Sequence, residues 1–274
     1  MISLSFFGLK EEPFKDNLDE RFYYSTKQHE RAYASMVYCI TSNEPAGIIL
    51  GQSGLGKSLI SQRILSSIKN YPQYIPVLVL IYPQMPKTAL LKEILSQLDI
   101  AVPKKRPSTQ DLLELLHTYI IARYREGKRV VLILDESHFL NVQALHLIRS
   151  LTNLETPKEK LITAIFIAEE RFVRRLQYKT YESLRTRIKI KARLEPLNLE
   201  ETREYIKHRL AVAGATNSIF AEETFPLIFE KSRGICRNIS KIAGQALFDA
   251  AFEQRRTIDL PLLRESLKGL EGLL

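Results

Sequence analysis

"GIILGQSGLGKSLISQRIL", residues 47–65, is the stretch that decides the fold. It passes from a short apolar strand, through a loop punctuated by Gly51, Gly54 and Gly56, into a helix that opens with Lys57 and Ser58. The octet 51–58 fits G-x-x-x-x-G-K-[ST], the pattern of a phosphate-binding loop. The chemistry explains the residue types. A phosphate chain carries several negative charges, and the loop must offset them without side-chain bulk. Glycines let the backbone turn so that consecutive N–H groups point inward, and the following helix adds the positive end of its dipole. Gly51, Gln52, Ser53, Gly54, Leu55, Gly56, Lys57 and Ser58 are therefore the candidate nucleotide-binding residues. Lys57 is expected to reach the β- and γ-phosphates, and Ser58 to ligate Mg²⁺.

Such a loop needs a partner, and VVLILDES, 130–137, supplies one. A buried strand would deliver Asp135 to the carboxyl edge of a sheet, where the ligand crevice lies. Asp135 is expected to hold Mg²⁺, and Glu136 to orient and deprotonate an attacking water. The tetrad Asp135-Glu136-Ser137-His138 also spells the DExH of some helicases, but nothing else in the chain suggests a two-motor helicase, so His138 is read as incidental.

Outward from these motifs, short apolar runs alternate with helical patterns, which implies βαβ units on a parallel sheet. The strand candidates are 47–50, 75–82, 130–134, 162–168 and 188–194. Four are near-continuous Val/Ile/Leu runs, as expected of strands covered on both faces. The fifth reads Ile-Lys-Ile-Lys-Ala-Arg and suits an edge strand. Residues 108–126 read as a helix opened by a capping box, Ser108 with Asp111, and closed by Gly127. Beyond Pro196 only helices are expected, over about 199–213, 222–232, 235–254 and 260–271.

Length and composition suit a large α/β domain with a small second one: 274 residues, 45% hydrophobic and 26% charged. No apolar run approaches the length needed to span a bilayer, and the opening MISLSFFGLKEEPF lacks a basic leader. Cys39 and Cys236 match no metal spacing and read as free thiols of a cytoplasmic protein. Forty Lys and Arg against thirty-one Asp and Glu leave +9, a balance that favours acidic partners, nucleic acid first among them.

With the loop, the acidic pair and the helical tail assembled, the chain resembles the AAA+ ATPases. More narrowly it is similar to the ExeA-like family, named for the secretion-pathway A proteins and close to transposition-helper ATPases. The stretch FFGLKEEPFKDNLDERFYYSTKQHERAYASMVYCI, 6–40, carries that family's aromatic-Gly-Leu opening, Pro-Phe, aromatic pair and His before a helix. The resemblance implies an N-terminal segment, 1–45, packing beside the nucleotide site, with Phe14, Tyr24 and His29 the residues to watch. On physical grounds an aromatic core is the other reading. It further implies a three-layer αβα P-loop ATPase domain over 46–195 and a small all-helical lid over 196–274.

The resemblance also implies site residues. In SLRTRIKIKARLEPLNLEETREYIKHRL, 183–210, Arg187, or else Arg185, occupies the place of an arginine finger that enters a neighbouring subunit's site; the alternative is an edge arginine meeting solvent. GICRN, 234–238, resembles the lid's sensor motif, with Arg237 aimed at the nucleotide and Cys236 where the family often has Pro. At the end of the fourth strand the family presents a polar sensor, usually Gln or Asn, and here stands Glu169. A carboxylate there repels phosphate unless it is protonated or turned away.

The implied function is an Mg-dependent, ATP-hydrolysing switch that assembles with itself into a ring or filament. Two uses stay open. One is a DNA-bound helper of transposition type that recruits a recombinase. The other is an assembly ATPase for secretion or envelope machinery, without DNA contact and without membrane insertion of its own. Longer secretion-type members carry a membrane span and a peptidoglycan-binding module after the lid, and the sequence here shows neither, which tilts the expectation toward the first. So does a basic run, Arg171, Arg174, Arg175, Lys179, Arg185, Arg187, Lys189, Lys191 and Arg193, joined by Lys104, Lys105 and Arg106. Such a run is either a solvated face or a stripe that tracks phosphates without reading bases.

Overall fold

The computed structural model describes residues 2–102 and 107–272. The Lys104–Arg106 cluster lies outside the described residues. Two compact units account for the chain: Lys27–Ser53 with Lys57–Leu194, and Met1–Thr26 with Gly54–Gly56 and Glu195–Leu274. Each has its own apolar core.

The first unit is α/β. Its strands are β1 (Ala46–Leu50), β2 (Tyr74–Leu80), β3 (Arg129–Asp135), β4 (Ile162–Ala168) and β5 (Ile188–Arg193). They form one sheet in the order β2-β3-β4-β1-β5, and every pairing is parallel. β1 and β4 are buried throughout and β3 nearly so, which is why they read as unbroken apolar runs. β5 lies at one edge, its lysines exposed and Ile188, Ile190 and Ala192 turned inward, as its alternation implies.

One strand differs from expectation. β2 is not covered on both faces: it forms the other edge and is partly open, with Leu80 exposed. Pro76, which cannot donate to a ladder, is the sequence signal for that edge position.

The helices of this unit start where local chemistry allows. Ser108 and Asp111 form the reciprocal capping box of helix Thr109–Arg125, and Gly127 (φ +75°) follows its end. Helix Lys27–Thr41 approaches β1 closely. A Cβ on Gly47 would lie 2.9 Å from Met36 Sδ and 3.0 Å from Cys39 Sγ, so this strand residue must lack a side chain. Cys39 is free, and burial pushes its thiol up to about 12.

The second unit is helical: Leu199–Val212, Phe225–Ser232, Cys236–Phe252 and Leu260–Lys268, with the short helix Ile2–Phe7 at the amino end. Asn198 and Glu201 form a second capping box, and Asp259 caps the helix carrying Pro261. The core includes Ile206, Phe225, Ile239, Ala243 and Leu263, the large side chains among them contributing about 1.5–3 kcal/mol each when fully buried. Phe14 belongs to this core, edge-on to Phe220, and Tyr24 packs against Tyr205. His29 is buried in helix Lys27–Thr41 of the α/β unit.

Arg209 ties the amino-terminal stretch into the helical unit. Its buried guanidinium donates to the carbonyls of Pro13 (2.6 Å) and Lys15 (2.9 Å) and to the Tyr205 hydroxyl (2.7 Å). A buried cation is tolerated here because its donors meet acceptors. Gly234 is the other fixed point. Its φ is +70°, its carbonyl accepts from Leu197 N–H at 2.9 Å, and a Cβ there would sit 2.0 Å from the Leu197 carbonyl oxygen.

Gly234→Ala therefore combines left-handed strain, about 1–3 kcal/mol, with a backbone clash that no rotamer relieves. Thermal melts should show a drop of several degrees or more, and an unchanged melting temperature would contradict the packing described.

Candidate functional site

The strand order decides which residues meet. β3, β4 and β1 are adjacent and parallel, so their carboxyl ends fall side by side at one edge of the sheet. β1 delivers the glycine loop there, β3 delivers Asp135 and Glu136, and β4, between them, delivers Glu169. The loop begins on the sheet itself: Gly51 N–H donates to the Ala168 carbonyl at 3.2 Å.

Gly51, Gln52 and Ser53 leave β1, and Lys57 and Ser58 open the helix Lys57–Lys69. Between them Gly54 and Gly56 have φ of +82° and +85°, a region open to glycine and costly for other residues. Leu55 is buried. A Cβ on Gly54 would meet Arg237 Cβ at 2.8 Å, and the Gly54 carbonyl accepts from Arg237 N–H at 3.2 Å, so this glycine is doubly required. Lys57 is only 4% exposed, and its ammonium donates to the Gln52 carbonyl at 2.8 Å. The lysine thus lies across the loop rather than out in solvent.

Asp135 is 5% exposed and held at both oxygens. Oδ1 accepts from Glu136 N–H at 2.8 Å, and Oδ2 lies 3.4 Å from the Ser61 hydroxyl. The same hydroxyl donates to the Ser58 carbonyl at 2.8 Å. Ser61 therefore stands between the two expected metal ligands, Ser58 and Asp135, with one proton that either oxygen can accept. Sequence reasoning passed over it, although its place one helical turn after Ser58 is the signal that could have found it. Hydroxyl and carboxylate oxygens are the hard donors that suit Mg²⁺, so the residues present fit the ion that the motif implies.

Glu136 is a non-glycine residue in the left-handed region, φ 57° and ψ 34°. Its peptide is pinned by the bond to Asp135 and by Phe139 N–H donating to its carbonyl at 2.9 Å. The Ser137–Phe139 turn brings the His138 ring back onto this residue. His138 Nε2 stands 3.3 Å from Glu136 Oε2 and 3.8 Å from Glu169 Oε1, with its side chain 1% exposed. Glu169 in turn pairs with Arg171 at 3.1 Å, and Arg171 lies over the Phe139 ring. Burial holds the His138 pKa below the ordinary imidazole value, Glu169 opposes that shift, and Arg171, Lys57 and Arg175 reinforce it. His138 is thus part of the site, and Glu169 is engaged by a cation and an imidazole.

Arg187 lies elsewhere. It directly precedes β5, at the amino edge of the sheet, a strand's length of about 17 Å from the edge bearing Lys57 and Asp135. Its guanidinium donates to the Ser183 carbonyl and, at 2.5 Å, to the Ser183 hydroxyl. Arg185 is exposed and reaches the Gln177 carbonyl. Around Arg187 opens a groove of about 750 Å³ whose lining includes Arg149, Lys160, Lys179, Lys189 and one acid, Glu182. The basic run is therefore not one stripe: Lys179, Arg187 and Lys189 share this groove, Arg171 and Arg193 are paired with Glu169 and Glu170, and Arg175 packs over Phe172. Arg237, in the helical unit at the start of helix Cys236–Phe252, pairs with Asp16 at 3.1 Å, an exposed contact of little energetic weight. Among the described residues no helix is long and apolar enough to cross a membrane.

Comparison with known proteins agrees with this geometry. The chain is 28% identical over 245 residues to general secretion pathway protein A of Aeromonas hydrophila, an alignment covering 89% of this chain and 44% of that protein. The chain thus spans less than half the length of this curated relative. Among solved structures it is similar to the ORC2 protein of Aeropyrum pernix in its ADPNP and ADP complexes, with a TM-score of 0.70 and 17% identity over 97% of this chain and 75% of that one. It is likewise similar to the ORC1 protein of Aeropyrum pernix in complex with DNA, at 0.69 and 16% over 94% of this chain and 68% of the other. These structural likenesses bear on the fold. A family model described as AAA domain matches residues 40–176, half of the sequence. By its sheet order, its phosphate loop and this match, the chain belongs to the AAA domain family, with an ExeA-like likeness across most of its length.

Proposed function

We propose that this protein is an Mg-dependent ATPase that works as an oligomeric switch. The observation that carries the reading is the buried Lys57 lying across its glycine loop, one strand away from the acid at the end of β4 and two from Asp135 and Glu136. In this reading the loop amides and Lys57 bind the phosphates, and Ser58 and Asp135, with Ser61 between them, hold Mg²⁺. Bound Mg·ATP supplies the phosphoryl group and the charge that the metal partly neutralises. Glu136 orients water and accepts its proton. Arg237 is the helical unit's candidate for contacting the nucleotide. Nucleotide complexes of the Aeropyrum pernix ORC2 protein support ATP as the ligand by analogy of fold.

Arg187 stands at the opposite edge of the sheet from Lys57, so its proposed role as an arginine finger belongs to a neighbouring subunit's site. For the use of the switch we favour contact with duplex DNA. The chain's formal charge of +9 is a balance suited to phosphates rather than to base edges. A fold relative solved with DNA is in keeping with this. The specific role, on that reading, is a helper that recruits a recombinase. Likeness to general secretion pathway protein A favours a second reading, an assembly ATPase for secretion or envelope machinery. In either case we assign it to the cytoplasm, in keeping with two free thiols.

Lys57→Ala should abolish ATP binding. Glu136→Gln should bind ATP and lose hydrolysis by about two to four orders of magnitude in a steady-state assay, and parental turnover would remove Glu136 from its role. Arg187→Ala should bind ATP and turn over about a thousandfold more slowly. Mixing it with the Lys57→Ala chain should restore part of the rate, and no rescue at any ratio would exclude a finger acting across subunits.

For DNA, fluorescence anisotropy with a labelled duplex should show ATP-dependent binding that falls steeply with salt. The slope of log affinity against log salt should scale with the number of phosphates contacted. A flat trace at low salt would decide for the secretion reading.

A further inference from the structure

The cluster formed by Glu136, His138, Glu169 and Arg171 has no place in the scheme above beyond Glu136 itself. Acidic and basic groups alternate along it, from the end of β3 to the first turn after β4. One ligand atom from each of Glu136, His138 and Glu169 lies within 4.8 Å of the other two. Two carboxylates so close repel each other in a partly buried setting, and the imidazole edge between them and the Arg171 guanidinium on Glu169 offset that repulsion.

The ring is firmly placed. It packs against Phe139 with centroids 4.2 Å apart, and the His138 carbonyl lies 3.4 Å from Arg175 Nη1. Its Nδ1 is buried without a hydrogen-bond partner, so the interactions of the ring all run through Nε2, toward the two glutamates. The backbone of Glu136, at φ 57°, fixes where its side chain begins, and the carboxylate's orientation depends on what its oxygens meet, His138 Nε2 among them. A general base needs that last degree of freedom fixed, because misplacement by about 1 Å costs on the order of a hundredfold in rate.

We infer that His138 is a positioning residue for Glu136: its Nε2–H orients the Glu136 carboxylate, while Glu169, anchored by Arg171, keeps the imidazole edge turned toward it. The inference rests on the reading of Glu136 as base. It accounts for a carboxylate at the end of β4, where the family presents an uncharged polar group. Here Glu169 serves the histidine rather than the phosphate.

The test separates the N–H from the ring. His138→Phe keeps the aromatic packing on Phe139 and removes the donor. His138→Gln loses the ring and keeps an N–H at similar reach. In steady-state ATPase assays, with nucleotide affinity measured separately by fluorescent-analogue titration, His138→Phe should lower kcat between tenfold and a hundredfold at unchanged affinity. His138→Gln should recover most of the rate, and Glu169→Ala should show an intermediate loss. Thermal melts establish that each variant is folded. Parental kcat in folded His138→Phe would overturn the inference, as would equal loss in the Phe and Gln variants or a loss carried wholly by affinity. These failures differ from failure of the base assignment, which shows as hydrolysis by Glu136→Gln.

Discussion

Three neighbouring parallel strands are the constraint on which the rest of the molecule depends. Because β3, β4 and β1 run side by side in the same direction, their carboxyl ends place an amide-lined loop, a carboxylate and an acidic pair along one edge. Each part has little use alone. A glycine loop offers donors but cannot retain a metal, and a buried aspartate without polar partners is costly. Together they form a polarised crevice: amides and Lys57 on one side, Asp135 and Glu136 on the other, and Ser61 between them.

The same parallelism separates functions along the sheet. Strands that share a direction have chemically distinct ends, and the amino edge gathers cations where the carboxyl edge gathers acids and the glycine loop. Arg187, at the amino edge, is a strand's length from the glycine loop, and its proposed role is therefore at a neighbouring subunit's site. On the proposed reading, an enzyme whose site is completed from outside responds to assembly, and a polyanion that gathers several chains can drive that assembly. Ligand occupancy and oligomer formation would then be coupled by mass action.

Much of this was legible in the sequence because the relevant physics is local. Unbroken apolar runs announced β1, β3 and β4, the Lys-Ile alternation announced β5 as an edge, and Ser108 with Asp111 announced a helix start. The phosphate loop and acidic pair were legible because their spacing is itself the mechanism. What escaped was long-range. Arg209 finds its acceptors nearly two hundred residues earlier, at Pro13 and Lys15. His138 depends on a tight turn after a left-handed Glu136 and on β4 lying beside β3, neither of which the tetrad discloses. The basic run misled for the same reason: adjacency in sequence distributed its members among a groove, two ion pairs and a packed ring face.

The central claim is that loop amides, Lys57 and the Ser58–Asp135 pair together hold a nucleoside triphosphate with its divalent ion. Isothermal titration calorimetry of Mg·ATP into the folded parental protein tests it most directly, with EDTA-treated ATP as the second titration. The account predicts saturable heat at one site per chain, with affinity reduced at least about tenfold when the metal is withdrawn. Absence of binding heat at millimolar Mg·ATP, in protein shown to be folded, would contradict it.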